Sequence, residues 1–348
     1  MKRFAILAIA VVLAALPAAC GGEAAAPGSV RLLAHDSFVI SDEARAAFAA
    51  ATGLQIEVLS AGDAGSMVNQ AILAAGNPVA DVLFGVDTTF LSRALEADLF
   101  VPYESPALAG VLPGLEADPG HRVTPIDYGD VCLNYDKAYF TDTPPPQSPA
   151  DLTGPAYRGL LVVENPGTSS PGLAFLLATI ATFGEEGDYT WQDYWAGLRA
   201  NDVQVAAGWE EAYYGDFSGG SGEGERPSVV SYASSPPAEV VYADPPVTEA
   251  PTAVVTAGCF RQVEFAGILR GTPREAAARA LIDFLLSERF QEEVPLSMFV
   301  FPALAAADLP PEFVAHTRVP SAPLTMGPAE IEANRERWLE EWAEVVLR

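Results

Sequence analysis

Between residues 30 and 100, short apolar runs alternate with stretches that carry helix signals. The apolar runs predict strands at 30–35, 54–60 and 80–87, and the stretches between and after them predict helices at 41–51, 66–76 and 88–100. The first helix has Ser41 as its N-cap and ends at Gly53. Strands that alternate with helices at this spacing predict a parallel or mixed α/β sheet.

Polar side chains follow the three predicted strands at the points where they end. His35 and Asp36 follow the first strand, Asp63 follows the second, and Asp87 ends the third. Ligands of open α/β sheets bind outside the carboxyl ends of the strands. We therefore expect these side chains to border a binding cleft.

The rest of the chain continues the α/β pattern. Residues 123–137 and 258–269 predict long strands that cross from one lobe to another, and a second α/β run lies between them. Residues 218–227 predict a flexible surface loop, because they are rich in Gly and Ser. Two C-terminal helices are predicted at 273–294 and 328–348, with the apolar positions at helical spacing.

The N-terminus has the pattern of an export signal. Residues 1–19 combine a charged start, an apolar run and small residues before Cys20. This arrangement resembles a bacterial lipobox, although Pro17 stands where that motif usually has leucine. We expect a cleaved signal peptide (1–19), a lipid on Cys20 and a tether (20–29); the alternative is a plain cleaved signal with an incidental cysteine.

Cys132 and Cys259 are the cysteines that remain after Cys20. An exported chain with two such cysteines permits one disulfide. The alternative is two buried thiols that act as small apolar residues. Both cysteines fall in strand-like segments, which favours the disulfide.

Charge and motifs exclude several classes of function. The formal net charge is −27, which makes a poor surface for nucleic acid or anionic lipid and a good one for cations. The three histidines lack metal-ligand spacing, and the sequence contains neither a P-loop nor a GxSxG elbow. We therefore expect no catalytic residues, no metal site, no cofactor and no nucleic-acid partner.

Two segments favour ligand binding instead. Thr168, Ser169 and Ser170 precede a predicted helix whose first turn contains Pro171, and such a helix start suits a phosphate, carboxylate or hydroxyl group. The alternative there is N-capping by Ser170. The second segment is AAGWEEAYYGDF (206–217), which fits a metal cage, an aromatic box for an organic cation, or the buried face of a helix.

The order of motifs carries a resemblance to a known family. HDSF, ADVLFGVD, IDYGDVCLNYDK, NPGTSSPGLAFLL, AAGWEEAYYGDF, VVSYASSPP, RQVEFAGI and PLSMFVFPA follow one another along the chain. Together they resemble the thiamine-binding substrate-binding proteins of bacterial ABC transporters, from about residue 31 to the C-terminus. The resemblance implies a two-lobed type II periplasmic-binding-protein fold, with mixed sheets, flanking helices and crossing strands that close like a hinge.

The same resemblance divides the chain. It implies a first lobe of residues 30–127 plus 262–300, a second lobe of 128–261, and a C-terminal segment of 301–348 whose helix packs across the lobes. It also places the segments of Cys132 and Cys259 in the two crossing strands, where a disulfide would brace the hinge region.

The resemblance also assigns binding roles. Trp209, Tyr213 and Tyr232 match an aromatic box for the two rings of thiamine, with Trp209 and one of the tyrosines 213 and 214 facing the cleft. Phe299 stands where tryptophan is common, and His35 where tyrosine is common.

Charged and hydroxyl groups complete the implied site. At least one of Asp36, Asp63 and Asp87 would complement the cation or the amino group of the ligand. Ser169 would meet the hydroxyethyl or phosphate end, and Glu210 and Glu211 would form a solvated face.

The resemblance implies a monomeric carrier without enzymatic activity. It would bind thiamine or a thiamine phosphate outside the cytoplasm, held in the periplasm or by its lipid at the membrane, and deliver the ligand to a membrane permease. The alternative is a ferric-ion binding protein, which Tyr213 and Tyr214 favour. Adjacent helical residues point about 100° apart, which disfavours that alternative.

Overall fold

The structure is a computed structural model that describes residues 28–348. The predicted signal peptide, the predicted lipidation site Cys20 and all but the last two residues of the predicted tether lie outside the described residues. Of those two, Ser29 already belongs to the first strand.

The described residues form strands and helices that alternate along most of the chain. The strands are β1 (Ser29–Ala34), β2 (Gln55–Ser60), β3 (Val82–Asp87), β4 (Phe100–Val101), β5 (Thr124–Asp136), β6 (Leu161–Glu164), β7 (Gln204–Ala206), β8 (Ser228–Tyr232), β9 (Thr252–Leu269) and β10 (Phe301–Pro302). The α-helices are α1 (Asp42–Thr52), α2 (Ala64–Leu73), α3 (Leu91–Glu96), α4 (Ser170–Phe183), α5 (Trp191–Ala200), α6 (Ala238–Val241), α7 (Glu275–Leu285), α8 (Glu288–Gln291), α9 (Val294–Ser297), α10 (Pro311–His316) and α11 (Pro328–Val346). Short 3₁₀ helices lie at Pro106–Gly110, Pro149–Thr153 and Pro155–Tyr157, and a π-helical turn lies at Glu211–Asp216.

One mixed sheet runs through the molecule in the order β2-β1-β3-β9-β5-β8-β6-β7. β1 is parallel to β2 and β3, and β6 is parallel to β7 and β8, whereas β5 and β9 run antiparallel to their neighbours. The two long strands therefore join a first lobe, built on β1–β4, to a second lobe, built on β6–β8. The predicted mixed α/β sheet with crossing strands is confirmed.

Local signals in the sequence place α1 correctly. Ser41 Oγ accepts a hydrogen bond from the Ala44 N–H, and Gly53 ends the helix in the left-handed region at φ 74°. The next helix, α2, begins two residues earlier than predicted, because Asp63 is its N-cap. The predicted helix at 88–100 shortens to α3, because residues 100–101 pair with β9 as β4.

The C-terminal helices differ from prediction in one respect. The helix predicted at 273–294 is interrupted at Ser287. The Ser287 hydroxyl accepts a hydrogen bond from the Phe290 N–H and so caps a separate helix, α8. The last helix, α11, packs against α3 of the first lobe and α5 of the second. Trp338 and Trp342 are buried there as predicted, and the Trp342 ring lies 5.6 Å from that of Trp195.

Residues 218–227 are not a free surface loop. A Cβ on Gly222 or Gly224 would meet backbone atoms of Phe217 and Asp216 at 2.1 and 2.0 Å, so this segment packs directly on the π-helical turn. Glycine is required here for the close approach of two backbones.

Cys132 and Cys259 form a disulfide with a Cα–Cα distance of 4.4 Å. It joins β5 to β9 where their register shifts, from Val131 opposite Phe260 to Leu133 opposite Val255. The extra residues of β9 bulge at this point, and the disulfide spans the bulge. The alternative of two free thiols is wrong.

Within residues 28–348, no helix combines the length and the apolar character that a membrane span requires.

Candidate functional site

A pocket lies between the two lobes, beside the carboxyl ends of β1 and β2, and encloses an empty volume of about 730 Å³ that includes its open mouth. Its lining is aromatic on one side and polar on the other. The aromatic residues are Trp209, Tyr213, Tyr214, Tyr232 and Phe299, the polar ones are His35, Asp36, Ser37, Asp63, Ser170, Ser235 and Glu264, and the small or apolar ones are Ala64, Pro171, Ala238, Met298 and Val300.

Trp209 is the centre of the aromatic side. Its ring stacks on Tyr213 with centroids 5.0 Å apart and an interplanar angle of 21°. Its indole N–H donates to Ser231 Oγ over 2.9 Å, which fixes the ring orientation. A ring held in this way offers one face to a ligand without a further loss of side-chain entropy.

The adjacent tyrosines have different roles. Tyr213 is 1 % exposed, and its hydroxyl donates to Glu239 Oε1 over 2.8 Å. Tyr214 is 40 % exposed, and its ring is nearly perpendicular to that of Tyr213, at 80°. Both border the pocket: the buried Tyr213 supports Trp209 from behind, and the exposed Tyr214 stands at the mouth.

Tyr232 and Phe299 complete the aromatic lining as predicted. The Tyr232 hydroxyl donates to Gln262 Oε1 over 2.9 Å, so its ring is held by the crossing strand β9. Phe299 has φ 55°, a backbone conformation that is an outlier for a bulky side chain. Its ring contacts Tyr242 of the second lobe with centroids 5.7 Å apart. Phe299 therefore closes the rim between the two lobes.

Asp87 and Ser169, both expected at the cleft, do not line the pocket. Asp87 is fully buried below it, where Oδ1 accepts from Ser170 and Thr89 and Oδ2 from Gln262. Burial raises the pKa of Asp87 to about 6. Ser169 caps α4 through its hydroxyl, and its neighbour Ser170, rather than being the cap, reaches the pocket lining.

Asp63 connects the lobes through backbone groups. Its Oδ2 accepts from the Trp209 N–H over 2.9 Å, and its Oδ1 accepts from Ser170 N–H over 3.3 Å and from Ala64 N–H over 2.6 Å. Burial raises the pKa of Asp63, and the N–H groups of Trp209 and Ala64 are among the groups that oppose that rise. The carboxylate caps α2 in its own lobe and holds the binding segments of the other lobe.

A second bridge between the lobes was not expected from the sequence. Ser37 Oγ donates to Glu210 Oε1 over 2.8 Å. Glu210 is only partly exposed, and burial raises its pKa. The interpretation of Glu210 as part of a solvated face is therefore wrong.

Glu264 is the carboxylate of the pocket lining that was not predicted from the sequence. It lies in β9, and its Oε1 is 3.4 Å from Nε2 of His35, at the end of β1. Burial lowers the pKa of His35, but Glu264, with smaller contributions from Asp63 and Asp36, raises it, so the net pKa is above the ordinary value. The motif RQVEFAGI contains Glu264, but only the pairing of β9 with β3 brings it to the pocket.

The lining therefore combines aromatic faces with carboxylates and one imidazole. Within the part of the chain that the structure describes, no group of three or more His, Cys, Asp or Glu side chains could hold a metal ion. Aromatic faces and nearby carboxylates both attract cations. The chemistry of the pocket suits a flat organic cation.

Comparison with known proteins places the chain in a family. A model of the family described as bacterial extracellular solute-binding proteins matches residues 77–320. The thiamine-binding periplasmic protein of Escherichia coli strain K12 is 30 % identical over 302 residues, which cover 87 % of this chain and 87 % of that protein.

Solved structures agree on the fold. The structure of a periplasmic thiamin binding protein superposes with a TM-score of 0.81 at 28 % identity, covering 92 % of this chain and 96 % of that one. Iron-bound HitA from Pseudomonas aeruginosa shares the fold at a TM-score of 0.70 and 21 % identity, covering 92 % and 99 % of the two chains. The predicted two-lobed type II fold is confirmed, and the chain belongs to the family of bacterial extracellular solute-binding proteins.

Proposed function

We propose that this protein captures thiamine outside the cytoplasm and delivers it to the membrane permease of an ABC transporter. The observation that carries the proposal is the pocket between the lobes, where the fixed ring of Trp209 faces a lining that contains Asp36, Asp63 and Glu264. A thiazolium ring is flat, aromatic and positively charged. Stacking and cation–π attraction to Trp209 recognise the ring, and the carboxylates balance its charge.

The lobes supply the mechanism of capture. Asp63 and Glu210 form hydrogen bonds across the cleft, and Phe299 meets Tyr242 at the rim. Opening the lobes breaks these contacts and exposes the pocket, whereas closing them surrounds the ligand. The protein performs no chemistry on the ligand, and release follows reopening at the permease.

Export and attachment belong to the same proposal. Thiamine capture requires the protein outside the cytoplasm, and residues 1–19 have the composition of a signal peptide. We infer a lipid on Cys20 that keeps the carrier, as a monomer, close to its permease. Globomycin inhibition of processing, together with labelling by radioactive palmitate, tests this lipid.

The ferric-ion alternative is less compatible with the pocket. Iron ligation by the adjacent tyrosines requires both phenolic groups to lose their protons and turn toward one ion. Burial raises the pKa of Tyr213 well above its usual value and that of Tyr214 to about 12. The Tyr213 hydroxyl is also committed to Glu239.

A calorimetric titration of the metal-stripped protein with thiamine tests the proposal. We expect saturable one-to-one binding, and no tyrosinate charge-transfer colour on addition of ferric ion. The same titration with the mono- and diphosphate ranks the three ligands. Absence of thiamine binding together with a coloured ferric complex would replace the proposal with the iron alternative.

Tryptophan fluorescence gives an independent prediction. Four of the five tryptophans, Trp191, Trp195, Trp338 and Trp342, are buried in the core, and Trp209 alone borders the pocket. We expect thiamine to quench the wild-type fluorescence and Trp209→Phe to abolish most of this change, while calorimetry still detects binding. Trp338→Phe is the matched control and should keep the quenching. Equal loss in both variants would contradict the assignment of Trp209.

A further inference from the structure

The proposed function uses the carboxylate of Glu264 but gives no role to its charge partner, His35. His35 follows β1 and Glu264 lies in β9, and their side chains are each only 12 % exposed. The distance of 3.4 Å between Nε2 and Oε1 is that of an ion pair. Both residues also border the space that the ligand would fill.

The fold is shaped to seat the imidazole ring. A Cβ on Gly85 would lie 2.2 Å from Cδ2 of His35, so the ring rests directly on a glycine of β3. Gly85 has φ 94°, and the register of β3 against β9 shifts between Phe84 and Val86. The bulge therefore provides a slot that holds His35 beside Glu264.

The charge state of Glu264 is set by its two neighbours. Asp127 stands opposite Glu264 in the pairing of β5 with β9, and burial together with Glu264 raises the pKa of Asp127 well above its usual value. Burial raises the pKa of Glu264 as well, but His35 and the hydrogen bond from Asp127 together lower it, so the net pKa is below the ordinary value. This arrangement favours a neutral Asp127, an anionic Glu264 and a cationic His35.

The other acidic groups near His35 are engaged or exposed. Asp63 accepts from three backbone N–H groups, and Glu210 accepts from Ser37. Asp36 is exposed at the rim, and Asp87 is hydrogen-bonded below the floor. Among the described carboxylates of the lining, Glu264 is thus the one whose partner is a removable positive charge.

We propose that Glu264 pairs with the cationic ring of the ligand, and that His35 is the resident counter-ion, which releases its proton to solvent when the ligand enters. This inference rests on the proposed function. A cationic ring and a protonated imidazole cannot share Glu264 without repelling each other, because both lie in a site largely screened from water. Loss of the imidazole proton leaves the ligand as the single positive charge beside Glu264.

The sign of the resulting pH dependence follows from linkage. A proton that must leave for the ligand to bind competes with the ligand, so affinity rises with pH while His35 is protonated in the free protein. Since the pKa of His35 is raised, the rise extends to higher pH than an ordinary histidine would give. The dissociation constant should fall about tenfold per pH unit below that pKa and level off above it.

The test is a calorimetric titration of the purified protein with thiamine between about pH 6 and pH 8, the range in which histidine titrates. Each pH is measured in two buffers of different ionisation enthalpy, which gives the number of protons released. We expect release approaching one proton at the acidic end. We also expect His35→Gln to bind without this pH dependence, and more tightly than the wild type at the acidic end.

Matched variants separate the possible outcomes. His316 lies outside the pocket, so His316→Gln should keep the wild-type dependence of affinity on pH. Glu264→Gln should weaken binding and lose that pH dependence. This inference is overturned if the wild type binds thiamine tightly without pH dependence, or if His35→Gln keeps the wild-type pH dependence. Either result leaves thiamine capture intact. No thiamine binding by the wild type at any pH overturns the proposed function itself. If His35→Gln does not fold, the buffer dependence of the wild-type heat decides, since its absence excludes proton release.

Discussion

Replacing both Cys132 and Cys259 with alanine will lower the free energy of unfolding by about 4 kcal/mol. The disulfide joins residues 127 positions apart, so its removal frees a long loop in the unfolded chain. It also leaves the bulge of β9 against β5 without its covalent link. Chemical denaturation, followed by circular dichroism, measures the change.

Reduction provides the matched control for this prediction. The wild type in reducing agent should approach the midpoint of the double variant, and the double variant should not respond to reductant. The disulfide lies outside the pocket lining, so thiamine affinity should change far less than stability. If the double variant had the same denaturation midpoint as the oxidised wild type, the disulfide would not stabilise the fold.

Asp63→Ala will weaken thiamine binding by about 100-fold, which corresponds to about 3 kcal/mol. The variant removes the carboxylate that accepts from Trp209 and Ser170 of the opposite lobe. Hydrogen bonds to a charged group contribute about 1.5–3 kcal/mol each, and the closed form loses two of them. Calorimetric titration of thiamine measures the loss.

Asp36→Ala is the matched control for Asp63, because Asp36 also borders the pocket but is exposed. A fully exposed charge contributes little, so its removal should weaken binding by less than about fivefold. Asp63→Asn keeps one acceptor oxygen and should give an intermediate loss. Similar losses for Asp36→Ala and Asp63→Ala would mean that negative charge, and not the bridge between lobes, determines affinity.

Asp63→Ala will also have a smaller effect on folding, which must be measured separately. Asp63 caps α2, and loss of such a cap costs about 1 kcal/mol. Thermal unfolding of the unliganded variant gives this quantity. An affinity loss, in kcal/mol, that is much larger than this loss of folding stability identifies the contribution of lobe closure.

Local patterns in the sequence predicted the elements of the fold well. Ser41 and Gly53 bound α1 as expected, because a cap acts on groups within a few residues of itself. Predictions from local patterns were wrong where contacts with distant residues or a competing cap determine the structure. Phe100, the last residue of the helix predicted at 88–100, pairs with β9 instead, and Ser287 interrupts the helix predicted at 273–294.

The site was predicted in part. His35, Asp36, Asp63, Trp209, Tyr213, Tyr232 and Phe299 border the pocket, as the ends of strands and the order of motifs indicated. Asp87 and Ser169 do not, because each is taken up by hydrogen bonds below the surface. Asp87 ends a strand in the sequence much as the pocket residues follow theirs, and only tertiary contacts such as its hydrogen bond from Ser170 at the start of α4 distinguish it.

The sequence by itself determined the α/β class, the order of the elements and the aromatic and acidic character of the site, since these depend on periodicity, caps and composition. The tertiary structure decided which groups meet. Asp63 reaches Trp209 across 146 positions, and His35 meets Glu264 only because β1 and β9 both flank β3. Such pairs depend on strand order and register over the whole sheet, and no local pattern encodes the distance between their atoms.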